Sequence, residues 1–376
     1  MVKIKVRPED FIVREKLKFN PAKKGKYVVY RIEKRGWGTL ELLSYIKLKY
    51  RVEIKHAGLK DKNAFTVQYG TSLQDYPVIK GDGFLIQKVG YWWVDIGPSD
   101  IEENLFTIRI RDLEDAESLA VALEKASVGF PNYFDEQRFG SRTSEGLIGE
   151  MLLRGEGERA LFLYMTNLRS SDTSEIKELK KFVRSHWRQW EALEKVVPPV
   201  YKPIFRSLKE EGDFLKAWGR FPRSLLSIIL SAVQSYYWNI LLSRRLEDMG
   251  ARCFVRIAGD RLACTISRER FTLPTLGNDE ASLKLYRWIL QERGIERLRV
   301  KELDFKFRSK EREGFVDTKD LEIQVLPDEL YPGKKSLLVN FALPPGSYAT
   351  TFLKVAEALG KNKKAGLPGF EPGSDG

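Results

Sequence analysis

Ile54-Lys-His56-Ala-Gly58-Leu-Lys60-Asp61-Lys62-Asn-Ala64-Phe-Thr-Val-Gln-Tyr69 places two short strand-like stretches, Ile54 to His56 and Ala64 to Tyr69, around a glycine-led polar loop. Strand, loop and strand is the reading, because β-branched and aromatic residues flank a turn that glycine opens. Working outward, Lys3 to Val6, Phe11 to Glu15 and Tyr27 to Glu33 read as further strands, and Thr39 to Lys49 as a helix. On the other side, Phe84 to Asp95 and Leu105 to Arg111 add strands. Leu113 to Ser127 reads as a helix with acidic residues in its first turn. Strands mixed with helices in this order predict an α+β domain.

From about residue 146 to 310 the pattern becomes mainly helical. Phe221-Pro222-Arg223-Ser224 opens a long helix with apolar residues at 225, 226, 229, 230, 233, 237, 240 and 241. Strands return near Leu321 to Leu326 and Lys335 to Leu343, followed by a Gly346 turn and a helix from about Thr350. The expected organisation is a sheet-based domain made of residues 1–145 and 315–362, interrupted by a mainly helical domain over 146–314. Residues 363–376 are rich in proline and glycine and are expected to form a disordered tail. No internal repeat is visible.

The rare residues exclude several chemistries. Two cysteines, Cys253 and Cys264, rule out a disulfide framework and a four-cysteine zinc site. Two histidines, His56 and His186, lie far apart, and no G-x-S-x-G elbow accompanies them. Gly333-Lys-Lys-Ser336 resembles the end of a phosphate loop, but Asp328 stands where its first glycine belongs. Neither a metal nor a nucleotide cofactor is expected, so the chemistry falls to carboxylates, amides and basic groups. The longest near-apolar stretch, Leu225 to Val233, is broken by two serines, and Met1-Val-Lys-Ile-Lys5 lacks an apolar leader core. A soluble, cytoplasmic, monomeric protein without a membrane partner is the expectation.

The 376 residues carry a formal charge of +12, and the excess is unevenly placed. Residues 1–62 hold 18 Lys/Arg and 7 Asp/Glu, a net of +11, which leaves +1 for the rest. Such a segment is either a solvated lysine-rich surface or a face for a polyanion. Phe11, Phe19, Tyr27, Tyr30, Trp37, Tyr45 and Tyr50 interleave with the charges, as base stacking would require. Some of them must be core, since Tyr27 to Ile32 reads as a buried strand.

Five strings stand out against this background. The loop centred on Asp61 sets one carboxylate between Lys60 and Lys62, and adjacent cations favour its ionised form. Taken alone, Lys-Asp-Lys is a common solvated turn. Asn132-Tyr-Phe134-Asp135-Glu-Gln137-Arg138-Phe-Gly140 combines amide, aromatic and guanidinium groups suited to a base edge and a base face, or equally a loop whose phenylalanines plug the core. Phe341 to Thr350 is a strand ending in a Pro-Gly turn, with Ser347 as an ordinary helix cap. Pro8-Glu-Asp-Phe11-Ile-Val13 follows Lys5, and Ala232 to Asn239 lies on the long helix, where its spacing indicates packing.

Together these strings resemble the TruD family of pseudouridine synthases. Ala57-Gly-Leu-Lys-Asp61-Lys62 is similar to the family's nucleophile motif, Asn132-Tyr-Phe134 and Gln137-Arg-Phe-Gly140 to the two ends of its second motif, and Leu343-Pro-Pro-Gly-Ser-Tyr-Ala-Thr350 to its C-terminal motif. The likeness runs in order from Lys5 to about Leu359, with one departure at Asp135, where the family usually has glycine. It implies a pseudouridine synthase domain with a mixed or antiparallel sheet, interrupted by a mainly helical α+β insertion, acting on tRNA. By the resemblance, Asp61 is the nucleophile and Lys5 supports it or the substrate. Phe11, Asn132 and Tyr348 line the uridine site, Phe134 packs on the base, and Lys60, Gln137 and Arg138 bind substrate. The family isomerises tRNA uridines at position 13 or, in archaeal and eukaryotic branches, position 35. A composition rich in Lys and Glu and poor in Gln, Cys and Met leans toward the archaeal branch. The isomerisation breaks the bond from C1′ to N1, turns the base and joins C1′ to C5, which requires no redox partner. The alternative from another class is a non-catalytic RNA-binding or chaperone protein that uses only the basic N-terminal segment.

Overall fold

The computed structural model describes residues 3–169 and 172–364, with side chains through Lys361; of the expected tail over 363–376, residues 363–364 instead continue the last helix and the remainder lies outside the described residues. The chain divides into two compact units. The first comprises Met1–Asn132, Thr265–Glu269 and Phe315–Gly376, and the second Tyr133–Cys264 and Arg270–Gly314.

The first unit is built on a nine-stranded sheet. Its strands are β1 (Phe11–Leu17), β2 (Tyr27–Lys34), β3 (Lys55–His56), β4 (Phe65–Ser72), β5 (Val78–Gly81), β6 (Phe84–Trp92), β7 (Ile101–Leu113), β8 (Lys319–Pro327) and β9 (Lys335–Leu343). The order is β8-β9-β7-β1-β4-β2-β6-β5, with β3 attached to β4. Every pairing is antiparallel except β1 with β4, which are parallel through Ile12↔Phe65, Val13↔Thr66 and Arg14↔Val67. That parallel pair sits mid-sheet and brings the start of β4, and the loop before it, beside the start of β1.

Alternation decides which sheet face is covered. Val28, Tyr30 and Ile32 of β2 share one face and are buried with Ile79, Phe84 and Ile86. Helix α1 (Thr39–Tyr50) lies on them through Thr39, Leu42, Leu43 and Ile46, one helical stripe. At the other end of the sheet an aromatic chain forms the core. Phe11 meets Phe106 edge-on at 6.2 Å, Phe106 stacks on Phe341 at 5.3 Å, and Phe341 meets Phe352 at 5.0 Å. Phe352 belongs to α3 (Ala349–Lys364), which packs beside α2 (Ala116–Ser127).

Three expectations change here. Lys3 to Val6 is not a strand: Lys3 makes a lone bridge to Arg111, and Lys5 then turns to a φ of +60°, which extended backbone cannot accommodate. The helix expected from Leu113 begins at Ala116, because β7 runs through Leu113 and Asp115 caps the helix by accepting the Ser118 N–H. Most interleaved aromatics of the basic segment serve packing. Tyr30 is fully buried, Trp37, Tyr45 and Tyr50 pack against the α1 core, and Phe19 stacks on Trp92 at 3.7 Å.

The second unit is mainly helical around the helix Arg223–Asp248, which buries Trp238 completely along with Leu226, Ile229, Val233 and Tyr237. That helix is long and apolar enough to cross a membrane, yet 67% of its apolar window is buried inside the protein, as befits a core helix. Gly149 lets the short helix Ile148–Leu153 approach it, since a Cβ there would lie 2.6 Å from Val233 Cγ2 and 2.9 Å from the Ile229 carbonyl oxygen. The strands Cys253–Ile257 and Asp260–Cys264 form a hairpin in which the two cysteines are directly opposed. They form one cross-strand disulfide, with Cα atoms 4.9 Å apart, rather than a framework.

Candidate active site

The loop between β3 and β4 is held from beneath by the connection from β2 to α1. Lys34 ends β2 on its buried face and is only 1% exposed. Its ammonium donates to the carbonyls of Asp61 at 2.9 Å, Lys60 at 3.3 Å and Trp37 at 2.9 Å. The Gly36 N–H donates to the Lys62 carbonyl at 3.1 Å. Thr39 Oγ1 accepts the Lys60 N–H at 3.0 Å and donates to buried Gln68, whose side-chain amide in turn donates to the Gly58 carbonyl. Polar backbone in a tight loop is thereby satisfied by side chains instead of a ladder.

Above this cradle, Lys5 pairs with Asp61 Oδ2, and the Asn63 N–H donates to Oδ1 at 3.0 Å. Lys5 also lies 4.3 Å from the ring centroid of Phe11. Burial by itself would push the Asp61 carboxyl up. The Lys5 hydrogen bond and charge, the Asn63 N–H and the charge of Lys34 outweigh it and hold the carboxyl below the usual range. Asp61 is therefore ionised through the neutral range, half-buried and fixed in direction.

The other expected site residues are distributed unevenly. Lys5, Phe11, Lys60 and Asp61 come together. Phe11 is 5% exposed, so the lysine covers it and its ring is mainly core. Lys60 turns inward: its ammonium pairs with Glu15, which also accepts the Tyr69 N–H at 2.8 Å. It therefore braces the loop instead of projecting toward a substrate. Asn132 and Tyr348 belong to the same unit, Asn132 just after the short strand Phe130–Pro131 and Tyr348 at the head of α3. Phe134, Gln137 and Arg138 belong to the second unit.

Within that unit, Asn239 of the long helix clamps Phe134 by accepting its N–H at 2.9 Å and donating to its carbonyl at 2.8 Å. The Phe134 ring meets Trp238 edge-on, and the Arg312 guanidinium covers it at 3.9 Å from the centroid. Arg138 donates to Ser235 Oγ at 2.9 Å. Gln137 is exposed and borders an apolar cavity of about 500 Å³ with Tyr164, Tyr201, Ile228 and Ile229. Asp135, the departure from the family pattern, is buried, and its carbonyl accepts the Arg138 N–H.

Lys34, Thr39, Glu15 and Arg312 were not singled out as site residues in the sequence, and Asn239 was read there as packing. Lys34 left a signal, a lysine at the position where the buried face of an apolar strand continues. Among the described residues no group of three or more His, Cys, Asp or Glu side chains could hold a metal ion.

Comparison with known proteins decides the kinship. The family described as tRNA pseudouridine synthase D (TruD) matches residues 1–276. This chain belongs to the TruD family. A tRNA pseudouridine synthase D from Aquifex aeolicus is 29% identical, covering 94% of this chain and 97% of the relative. A relative from Methanocaldococcus jannaschii, assigned as tRNA pseudouridine synthase D 2, is 29% identical over 96% of this chain and 93% of its own. The crystal structure of a TruD-assigned chain from Methanosarcina mazei shares the fold, with a TM-score of 0.63, 24% identity and coverage of 94% of this chain and 93% of that one. The TruD family comprises isomerases that make pseudouridine in tRNA, and the α+β architecture agrees with it.

Proposed function

We propose that this TruD chain converts one specific uridine, at position 13 and/or 35 of tRNA, to pseudouridine with Asp61 as nucleophile. The observation that carries the reading is the Asp61 carboxylate, kept ionised and aimed by Lys5 on a loop pinned from below. A protein that only bound RNA would have no need of a half-buried carboxylate amid its most basic segment. In this reading the first unit is the catalytic domain and the second the inserted domain. The target nucleotide leaves its stack, and Phe11, Asn132 and Tyr348, all of the first unit, line its site. Gln137 and Arg138 contact RNA, while Lys60 acts through Glu15. Asp61 attacks C1′ or assists departure of the base as the C1′–N1 bond breaks, and the freed uracil turns. C5 then joins C1′ with release of any aspartate ester, and the C5 proton leaves to solvent while N1 takes one up. The protein works as a cytoplasmic monomer without metal or nucleotide cofactor.

Mapping pseudouridines in tRNA transcripts incubated with the purified chain tests both the reaction and its position. Included chelator should leave the modification intact. No pseudouridine at either position overturns the proposal, and loss restored by one metal overturns the cofactor-free chemistry.

RNA binding energy should reside in part on the exposed loop before β2. Lys23 and Lys24 are exposed and follow Pro21, so reversing their charge leaves the core alone. The double variant Lys23→Glu/Lys24→Glu should bind tRNA more weakly at low salt. Each lost phosphate contact lowers the slope of log affinity against log salt by roughly 0.7 to 0.9. Single-turnover rates at saturation should stay near wild type. An unchanged salt slope would place the RNA path elsewhere.

A further inference from the structure

A buried ammonium shared among three carbonyls is a protonation-dependent joint. Lys34 has three N–H donors when protonated and meets three acceptors, the carbonyls of Trp37, Lys60 and Asp61. The neutral amine has only two donors, and its lone pair would face a carbonyl oxygen. One of the three anchors must then be lost, and two of the three belong to the loop that carries Asp61.

We propose that Lys34 is a positioning residue whose ammonium, in contrast to its neutral amine, holds the Asp61 loop in the reactive arrangement, so that loss of this one proton slows isomerisation without releasing the RNA. The inference rests on the reading of Asp61 as nucleophile and adds a proton-controlled support to it. The charged groups around Lys34 are Asp61 and Lys60 on the loop, Glu41 on α1, Glu33, whose side chain alternates to the opposite sheet face, and Arg35 just past the strand, which pairs with Glu9. Lys5 and Lys62 neutralise Asp61 and Glu41 respectively. Burial lowers the Lys34 ammonium to about 8, against the opposing pull of Asp61 and with a smaller push from Lys60. The joint therefore opens at mildly alkaline pH.

Stability and activity then move in opposite directions. The folded pKa lies below the unfolded value of 10.5, so between about 8 and 10.5 the unfolded chain binds more protons. Over that window this group makes the fold more stable as pH rises, while the loop loses an anchor. A lysine that served stability alone would not uncouple the two.

The experiment measures single-turnover tritium release from C5-labelled uridine in tRNA across a pH series, alongside filter binding and denaturant melts, for wild type, Lys34→Arg and Lys34→Met. Ionisation of the uracil N3–H slows every variant alike, so the difference between variants is the readout. Wild type should lose rate by about tenfold per pH unit above its midpoint, with tRNA affinity within about twofold and no loss of stability. Lys34→Arg, whose guanidinium stays charged, should lose this extra limb. Lys34→Met should lose it too, at a lower plateau rate. If Lys34→Arg does not fold, the wild-type lysine ¹³Cε signals decide: one should titrate near 8. Identical alkaline limbs in wild type and Lys34→Arg, or no lysine titrating below the ordinary range, overturn the proposal. Turnover by Asp61→Asn would instead overturn the nucleophile reading on which it rests.

Discussion

Asp61→Asn should remove pseudouridine formation altogether, by at least about 10⁴-fold in single-turnover rate, since nucleophile knockouts cost on that order or more. The amide keeps the size of the side chain, and its oxygen can still accept the Asn63 N–H now bonded at 3.0 Å. What disappears is the anion. Lys5 then lacks its counter-charge, so a modest loss of stability is expected, and tRNA affinity should stay within a few-fold. Tritium release from labelled tRNA reads the chemistry and filter binding reads the affinity. Substantial turnover by the asparagine variant would remove Asp61 from the mechanism. Because Asp61 is held below the usual carboxylate range, the fraction of active anion in wild type should stay constant through the neutral range. Its loss on acidification should begin only below the pH at which an ordinary aspartate titrates.

The largest effect on stability is expected at Arg111, far from Asp61 in sequence. Its side chain is 3% exposed and forks onto Asp10 through Nε at 2.9 Å and Nη2 at 2.6 Å. It also reaches Asp328 at 3.0 Å and Glu329 at 2.9 Å. Asp10 directly precedes Phe11, so this network fixes the start of the strand beneath Lys5. Arg111→Met should destabilise the first unit by about 3–5 kcal/mol, because it leaves the buried carboxylates of Asp10 and Asp328 without their counter-charge. Denaturant melts measure it, and a loss below about 1 kcal/mol would mean that water already compensates the network. The pH dependence should change with it. Burial would raise Asp328, but the N–H groups of Asp112 and Leu330 together with Arg111 hold it below the ordinary range. Its contribution in wild type is present above the unfolded pKa and fades as pH falls. In the variant the effect of burial on Asp328 is left less opposed, so acid should cost less stability than it does in wild type.

How much of this was legible follows from what each residue answers to. The sheet and α1 were readable because Val28, Tyr30 and Ile32 alternate while Leu42, Leu43 and Ile46 recur at helical spacing. Asp61 stood out through its place in a string that resembles a family motif, since Lys-Asp-Lys by itself is a common solvated turn. The inward turn of Lys60 was not legible, since its partner Glu15 lies on a strand whose parallel pairing no local pattern announces. Lys5 was expected on a strand, and only the φ of +60° that lets it reach Asp61 explains why it is not. Asn239 looked like packing because its polar role is to another segment's backbone, 105 residues earlier. Arg111 carried no signal: its three acidic partners lie 101, 217 and 218 residues away.

The interrupted sheet has a consequence for how the protein is made. Strand β7 is paired with β1 on one side and with β9 on the other, through Ile108↔Val339 and Ile110↔Leu337. During synthesis β1 to β7 emerge together and can assemble, but β9 follows only after some two hundred further residues. Until then β7 presents a long, apolar, unpaired edge, with Phe106, Ile108 and Ile110 lacking their final cover. Translation at about 5–20 residues per second leaves that edge open for roughly ten seconds or more. If the second unit folds in the interval, it shortens the slack between β7 and the strands still to come. The nascent chain thus carries its Asp61 loop early and its vulnerability with it, so chaperones that shield this edge, more than the stability of the folded chain, should set the yield of active protein in the cell.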